Sequence, residues 1–175
     1  MEQIIHATAD DIEEILSVME TGLATTENKE WYVTDDREFI ARHVEAEGYT
    51  LKYMVNNKIA GFLIVRRPMF AEDNLGKNLP DWTEETLTKV SHMESAAVLP
   101  EFRGRKIQKK LLMAAEEIER KQGTEYLMCT VHPDNRYSAG NLEQLGYEVL
   151  LQTEKYGNLK RDIMCKSLAI FNTIV

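Results

Sequence analysis

The sequence predicts a single α/β (α+β) domain built on a mixed sheet, and three observations predict it. The 175 residues, 43% hydrophobic and 29% charged, suit one domain around one core. Apolar spacing switches repeatedly between helical and strand periods, in the order β-α-α-β-β-β-α-β-α-β-β. Two short polar turns, Asn56-Asn57 and Gly157-Asn158, each join a pair of strand-like runs as a hairpin.

Residues 2–7 read as the first strand. Thr8 and Asp11 resemble a capping box, and Ile12, Ile15, Leu16 and Met19 then recur at helical spacing. A second helix starts near residues 34–36, buries Phe39, Ile40, His43 and Val44, and is expected to stop at Gly48. The run YTLKYMVNNKIAGFLIVRR supplies the next two strands. Residues 68–86 hold two prolines, a glycine and several Asn and Asp, and read as a long loop of the kind that carries function. LTKVSHMESAAVLP is a strand ended by Pro100. The helix after it carries an apolar stripe of Ile107, Leu111, Ala114, Ala115 and Ile118, and Gly123 closes it. EYLMCTV is a buried strand, PDNRYSAGNLEQLG a short helix, and YEVLLQTEKYGNLKRDIMCKSL the final hairpin. No repeat, low-complexity tract or linker interrupts this order.

Composition narrows the function classes. Net charge is −8, which argues against a general nucleic-acid or anionic-membrane binder. Yet Arg103, Arg105, Lys106, Lys109 and Lys110 fall together, and removing these five from the total leaves −13 for the rest. The two cysteines, Cys129 and Cys165, lie in apolar strand runs, so the expectation is free thiols and a cytoplasmic protein. The N-terminus lacks the pattern of a signal peptide, and no window reaches the length of a membrane span. His6, His43, His92 and His132 show no metal-ligand spacing with the cysteines. The apolar ending LAIFNTIV is expected to pack on the domain or on a partner chain, which makes a homodimer a candidate arrangement.

The cationic cluster opens a helix, the end that already carries partial positive charge. A strand ends at Pro100, Gly104 permits a tight turn, and the first backbone N–H groups of the helix are then unpaired. Donors and cations together can cradle a phosphate or pyrophosphate; a solvated helix face is the alternative. The segment is neither a nucleotide P-loop nor a dinucleotide fingerprint, whose glycines and lysine are absent.

These residues carry a resemblance. VLPEFRGRKIQKKLL resembles the acyl-CoA-binding motif of the GNAT (GCN5-related N-acetyltransferase) superfamily, through Val98, Pro100, Phe102, Arg103, Gly104, Leu111 and Leu112. Lys106 and Gln108 stand where that motif usually has glycines, which let a pyrophosphate approach the backbone. Gln108 in regular helix needs no glycine, and Lys106 trades closeness for charge. VHPDNRYSAGNLEQLGYEVL resembles the second family segment through Asn135, Ser138, Glu143, Gly146 and Tyr147.

The resemblance implies the GNAT fold over 1–175: a mixed, mostly antiparallel sheet of about seven strands flanked by about four helices. Residues 1–98 would then hold the acceptor-side helices and the 68–86 loop. Residues 99–175 would hold the pyrophosphate helix, the second motif and the hairpin. It implies an acetyl-CoA-dependent N-acetyltransferase, a transferase acting on a primary amine in a small molecule or peptide, by direct attack in a ternary complex. The alternative is a catalytically weak CoA-binding or regulatory module of the same fold. Ala96, Ala97 and Val98 would pair with the pantetheine arm, at a strand that splays from its neighbour. Arg103, Gly104, Arg105, Lys106, Ile107, Gln108 and Lys109 would form the pyrophosphate cradle, with Asn135 and Ser138 beside the cofactor. His92 and Glu94, two apart on one strand face, are the candidate catalytic pair, with Glu94 as base through water and His92 assisting. The position where the family often has a tyrosine to protonate the leaving thiolate is Leu142. Three outcomes stay open: no protein donor, a tyrosine reaching in from a loop, or binding without efficient catalysis. The acidic remainder points to a cationic acceptor, and Trp31, Tyr32, Phe70 and Trp82 are candidate lining of its pocket.

Overall fold

The computed structural model describes residues 1–169. Seven strands form one sheet: β1 (Glu2–His6), β2 (Gly48–Val55), β3 (Lys58–Arg66), β4 (Val90–Val98), β5 (Tyr126–Val131), β6 (Glu148–Lys155) and β7 (Leu159–Ser167). Their order is β1-β2-β3-β4-β5-β7-β6, and only β4 and β5 run parallel. Five helices accompany them: α1 (Ile12–Ala24), α2 (Arg37–Glu45), the single turn α3 (Glu84–Leu87), α4 (Ile107–Lys121) and α5 (Arg136–Gln144). A parallel pair needs a crossover, and α4 makes it.

The alternation along β3 decides which helices cover which face. Ile59, Phe62 and Ile64 pack with Ile12, Ile15, Met19 and Ile40 of α1 and α2. Ala60, Leu63 and Val65 pack on the other face with Ile107, Leu111 and Ala115 of α4 and Leu142 of α5. A strand buried on both sides reads as a continuous apolar run, as IAGFLIV does.

Local signals act as expected at several points. Asp11 accepts the Thr8 amide (2.7 Å) and hydroxyl (3.0 Å) ahead of α1. Asp36 caps α2 by accepting the Phe39 N–H (2.7 Å). Asn56 and Asn57 both take positive φ, as a two-residue hairpin turn requires.

Two expectations need correction. Gly48 does not cap α2, which ends at Glu45 with the Ala46 and Glu47 amides donating to Arg42 O. It opens β2, where a Cβ would run into the Val65 carbonyl. The 68–86 segment is the long loop expected, but a pinned one that holds two short helical turns. Asn74 is fully buried, donates to Met69 O (2.6 Å) and Leu87 O (3.3 Å), and pins a short 3-10 turn, Leu75–Asn78, beneath the sheet. Trp82 stacks on Tyr126 (4.7 Å between centroids) and belongs to a small core, not to a pocket wall; Phe70 is exposed. Of the apolar C-terminal stretch, Leu168 is buried beside α4, and 170–175 lie outside the described residues. Among the described residues no helix is long and apolar enough to cross a membrane.

Candidate active site

The site is built where β4 and β5 part. Their pairing stops at His92↔Met128. On its other edge β4 is in register with β3 at Val65↔Met93 and again at Ile64↔Ser95, so Glu94 is an extra residue, a bulge. Beyond it β4 follows β3 alone, while β5 pairs only with β7. The opened strands enclose a cleft of about 830 Å³. The small side chains of Ala96 and Ala97 lie along it, with Gly22 of α1, Ser138 of α5 and the α5 N-cap Asn135 on its walls.

One end of the cleft meets the start of α4. Gly104 (φ 79°) and Lys106 (φ 60°, ψ 27°) are both left-handed, and Lys106 is the N-cap. Lys110 N–H donates to Lys106 O (3.0 Å), which leaves the earlier amides of the helix without intrahelical partners. Lys106 thus adopts the backbone conformation that a glycine would take most easily.

The five cations do not act together. Arg103 folds back on the end of α1, donating to Thr25 Oγ1 (2.7 Å). Arg105 pairs with Glu2 (2.6 Å), and Lys110 donates to Tyr53 Oη (2.9 Å) beside the same carboxylate. Lys109 reaches Gln144 (3.3 Å). Lys106 alone makes no polar side-chain contact among the described residues and lines the cleft. Of the twelve residues expected around the cofactor, Arg105 and Lys109 are the two that do not line it. The Gln108 side chain turns toward α5, donating to Ser138 Oγ (3.0 Å) and accepting from Asn141 (2.8 Å). It ties two helices together instead of crowding an anion.

His92 and Glu94 lie side by side in a different condition from that expected. His92 is 3% exposed, and its Nε2 accepts the Leu75 N–H (3.1 Å). The ring proton is therefore assigned to Nδ1, which donates to Glu94 Oε2 (3.2 Å). Arg66 Nε donates to the same oxygen (3.1 Å). Burial pushes the Glu94 carboxyl up, but His92 and Arg66 outweigh it and hold it below the usual range. This is a fixed anion, poorly suited to collecting a proton.

A neighbouring carboxyl, which the sequence reading did not single out, is shifted the other way. Burial, offset in part by the Ser95 hydroxyl and reinforced by the Glu94 charge, raises Asp35 to about 6. Asp36 spends its carboxylate on the α2 cap, and Asp35 turns inward. Ser95, just past the bulge, also meets Tyr32 Oη (3.2 Å). The signal in the sequence was a doubled Asp where a cap needs one.

Three tyrosines line the cleft, Tyr32, Tyr137 and Tyr156. Tyr137 is exposed on α5 and donates to Glu27 (3.0 Å). Tyr156, at a turn with positive φ throughout 156–158, has its hydroxyl 3.3 Å from Thr130 Oγ1. It also borders an adjoining cavity of about 250 Å³ under Arg66, Asp73 and Leu75. Burial raises the Tyr156 phenol, so it keeps its proton at neutral pH. Leu142 is buried in the core beneath. Cys129 and Cys165 are free and buried, and burial pushes both thiols up, Cys165 to about 12. Neither is an activated nucleophile.

The arrangement is a long cleft with strand backbone unpaired on its β5 side, helix amides and the Lys106 side chain at one end, and the Glu94 carboxylate in its lining. The sequence profile described as the acetyltransferase (GNAT) family matches residues 10–147. No curated protein sequence matches significantly. Among solved structures, the ribosomal-protein-S18-alanine N-acetyltransferase of Escherichia coli superposes with a TM-score of 0.74 at 15% identity, over 100% of this chain and 99% of that one. An N-acetyltransferase from Staphylococcus aureus Mu50 gives 0.71 at 16% identity, covering 97% and 99%. The yncA structure from Salmonella typhimurium, which contains its cofactor acetyl-CoA, gives 0.69 at 20% identity, covering 97% and 95%.

Proposed function

Because the chain belongs to the GNAT acetyltransferase family, we propose that it moves an acetyl group from acetyl-CoA to a primary amine in a ternary complex. The observation that carries this reading is the opening between β4 and β5 leading to the bare N-terminus of α4. Strand backbone at Ala96, Ala97 and Val98 suits the amides of a pantetheine arm. The amides of residues 104–109, with the Lys106 ammonium, suit a pyrophosphate. When bound, acetyl-CoA supplies a thioester carbon open to attack by a neutral amine.

The chain's own groups then divide the work. Glu94, kept ionised by Arg66 and His92, draws in the acceptor's ammonium form. Asp35 takes the proton that the nitrogen must lose, relayed through the Ser95 hydroxyl. His92 is a positioning residue: it fixes Glu94 and links it to the Leu75 turn. Tyr156 Oη carries the proton owed to the departing sulfur, the part for which Leu142 has no group. Two buried free thiols fit a reducing cytoplasm.

The test is an amine panel with acetyl-CoA, followed by thiol release and by the mass of the acetylated product. Transfer to at least one primary amine is expected. Leu142 favours a second reading, a CoA-binding module; tight acetyl-CoA binding without transfer to any amine would establish that instead.

A further inference from the structure

Among the described residues, a deeply buried charge without an ion-pair partner lines the cleft. Arg161 is 3% exposed, the only arginine among the described residues under a tenth exposed. Arg66, mostly buried, holds two carboxylates, Glu94 and Asp73, and Arg67, less buried, holds Glu119. Arg161 makes no ion pair among the described residues. Its guanidinium donates only to the backbone carbonyls of Lys160 (2.7 Å) and Glu30 (2.8 Å) and lies over the Tyr156 ring (5.4 Å). The Glu30 carboxylate is a more distant neighbour, and Asp162, next in sequence, accepts from Gln152 instead.

A guanidinium taken from water without a counter-ion is held at a cost that an anion would relieve. Arg161 lines the cleft together with Tyr156, Ser95 and Glu94. Trp31, on the same wall, has a buried indole N–H with no acceptor among the described residues. The wall therefore holds a desolvated cation and an unsatisfied donor among the residues that line the cleft. The cradle for a pyrophosphate lies elsewhere, at Lys106 and the start of α4, so an anion beside Arg161 comes with the other substrate.

We infer that Arg161 is the anion-recognition residue of the acceptor pocket, and that the acceptor amine belongs to a small molecule that also bears a carboxylate. The inference rests on the acetyl-transfer reading and names its substrate class: an amino acid, its ammonium toward Glu94 and Asp35, its planar carboxylate on the Arg161 fork. It revises the cationic acceptor expected from the acidic remainder, because the cleft wall carries the buried Arg161 cation as well as the Glu94 anion.

The test uses calorimetric binding to the CoA-saturated protein, which reports whether or not transfer occurs. Amino acids of two to six carbons are compared with their carboxamide twins and with aminoalkyl phosphonates. Carboxylates should bind about 10- to 100-fold more tightly than carboxamides. Arg161→Gln should bring that ratio close to one, and Arg161→Lys should restore part of it. Equal binding of carboxylates and carboxamides by the unaltered protein would overturn the proposal. So would an Arg161→Gln variant that weakens both alike, the mark of a clamp on the Glu30 backbone, or a preference for phosphonates over carboxylates. Failure of the transfer reading appears separately, as CoA binding without acetylated product.

Discussion

Replacing Lys106 by glycine separates two effects that the sequence places on one residue. Lys106 sits at φ 60°, ψ 27°, exposed, with no polar side-chain partner among the described residues. The left-handed conformation costs a side-chain-bearing residue roughly 1–2 kcal/mol. A glycine escapes that cost but loosens the unfolded chain, which returns about 0.4–1 kcal/mol. The net expectation is a gain of about 0–1.6 kcal/mol, or a melting temperature higher by about 0–6 °C for a chain of this size. Ligand binding should move the other way. If the ammonium makes a charge-assisted bond to the pyrophosphate, its loss costs about 1.5–3 kcal/mol, roughly 10- to 150-fold in Kd. Thermal melts without ligand and acetyl-CoA titrations on Lys106→Gly and the parent protein read both quantities. A more stable variant that binds acetyl-CoA more weakly is the predicted pair. A melting temperature lower by several degrees would refute the left-handed N-cap. Unchanged affinity would refute the role of the side chain, leaving the backbone amides as the cradle.

The other predictions concern the groups around the bulge and the core. Asp35 at about 6 is roughly one part in eleven ionised at pH 5 and ten in eleven at pH 7. The ratio of parent to Asp35→Asn activity should therefore rise about tenfold across that interval, with the variant about 10²–10⁴ lower at neutral pH; a pH-independent ratio would remove Asp35 from the proton path. Tyr156→Phe should lower kcat while leaving the acetyl-CoA Kd within about twofold, since removing the hydroxyl deletes a proton donor and keeps the ring under Arg161; an unchanged kcat would mean that the sulfur takes its proton from water. Glu119 is fully buried in α4, bonded to Arg67 (2.7 and 3.1 Å), Ser91 and Thr124. Glu119→Ala strands those donors and should cost about 3–5 kcal/mol, read by chemical denaturation; a loss under 1 kcal/mol would contradict the network.

How much of this was written locally is clear from particular residues. The Asn56-Asn57 turn, the Asp36 and Asn135 caps and the apolar stripe of α4 depend on neighbours within a few positions, so the sequence displays them. The paired motifs around Gly104 and Asn135 pointed to the cleft because backbone geometry dictates them. What did not show were pairings between distant segments. Arg105 and Lys110 answer to Glu2, about a hundred residues away. Glu94 looked like a base until Arg66 and His92 were seen to hold it. Asp35 and Asp36 are chemically identical in the sequence, and only the fold assigns Asp36 to the cap and leaves Asp35 part-buried. Gly48 reads as a helix stop, yet what demands glycine there is the Val65 carbonyl on the next strand. Tyr156 and Arg161 lie in the final hairpin, outside both motifs, and reach the cleft because β7 pairs with β5.

The central claim is that the cleft between β4 and β5 is a working acyl-CoA site despite Lys106 and Gln108. The measurement that tests it most directly is isothermal titration of the protein with acetyl-CoA, with thiol release followed in the same sample. Stoichiometric micromolar binding with slow CoA release in the absence of acceptor is the predicted result. No heat of binding and no thiol above background would contradict the claim, and would leave the likeness to the family one of fold alone.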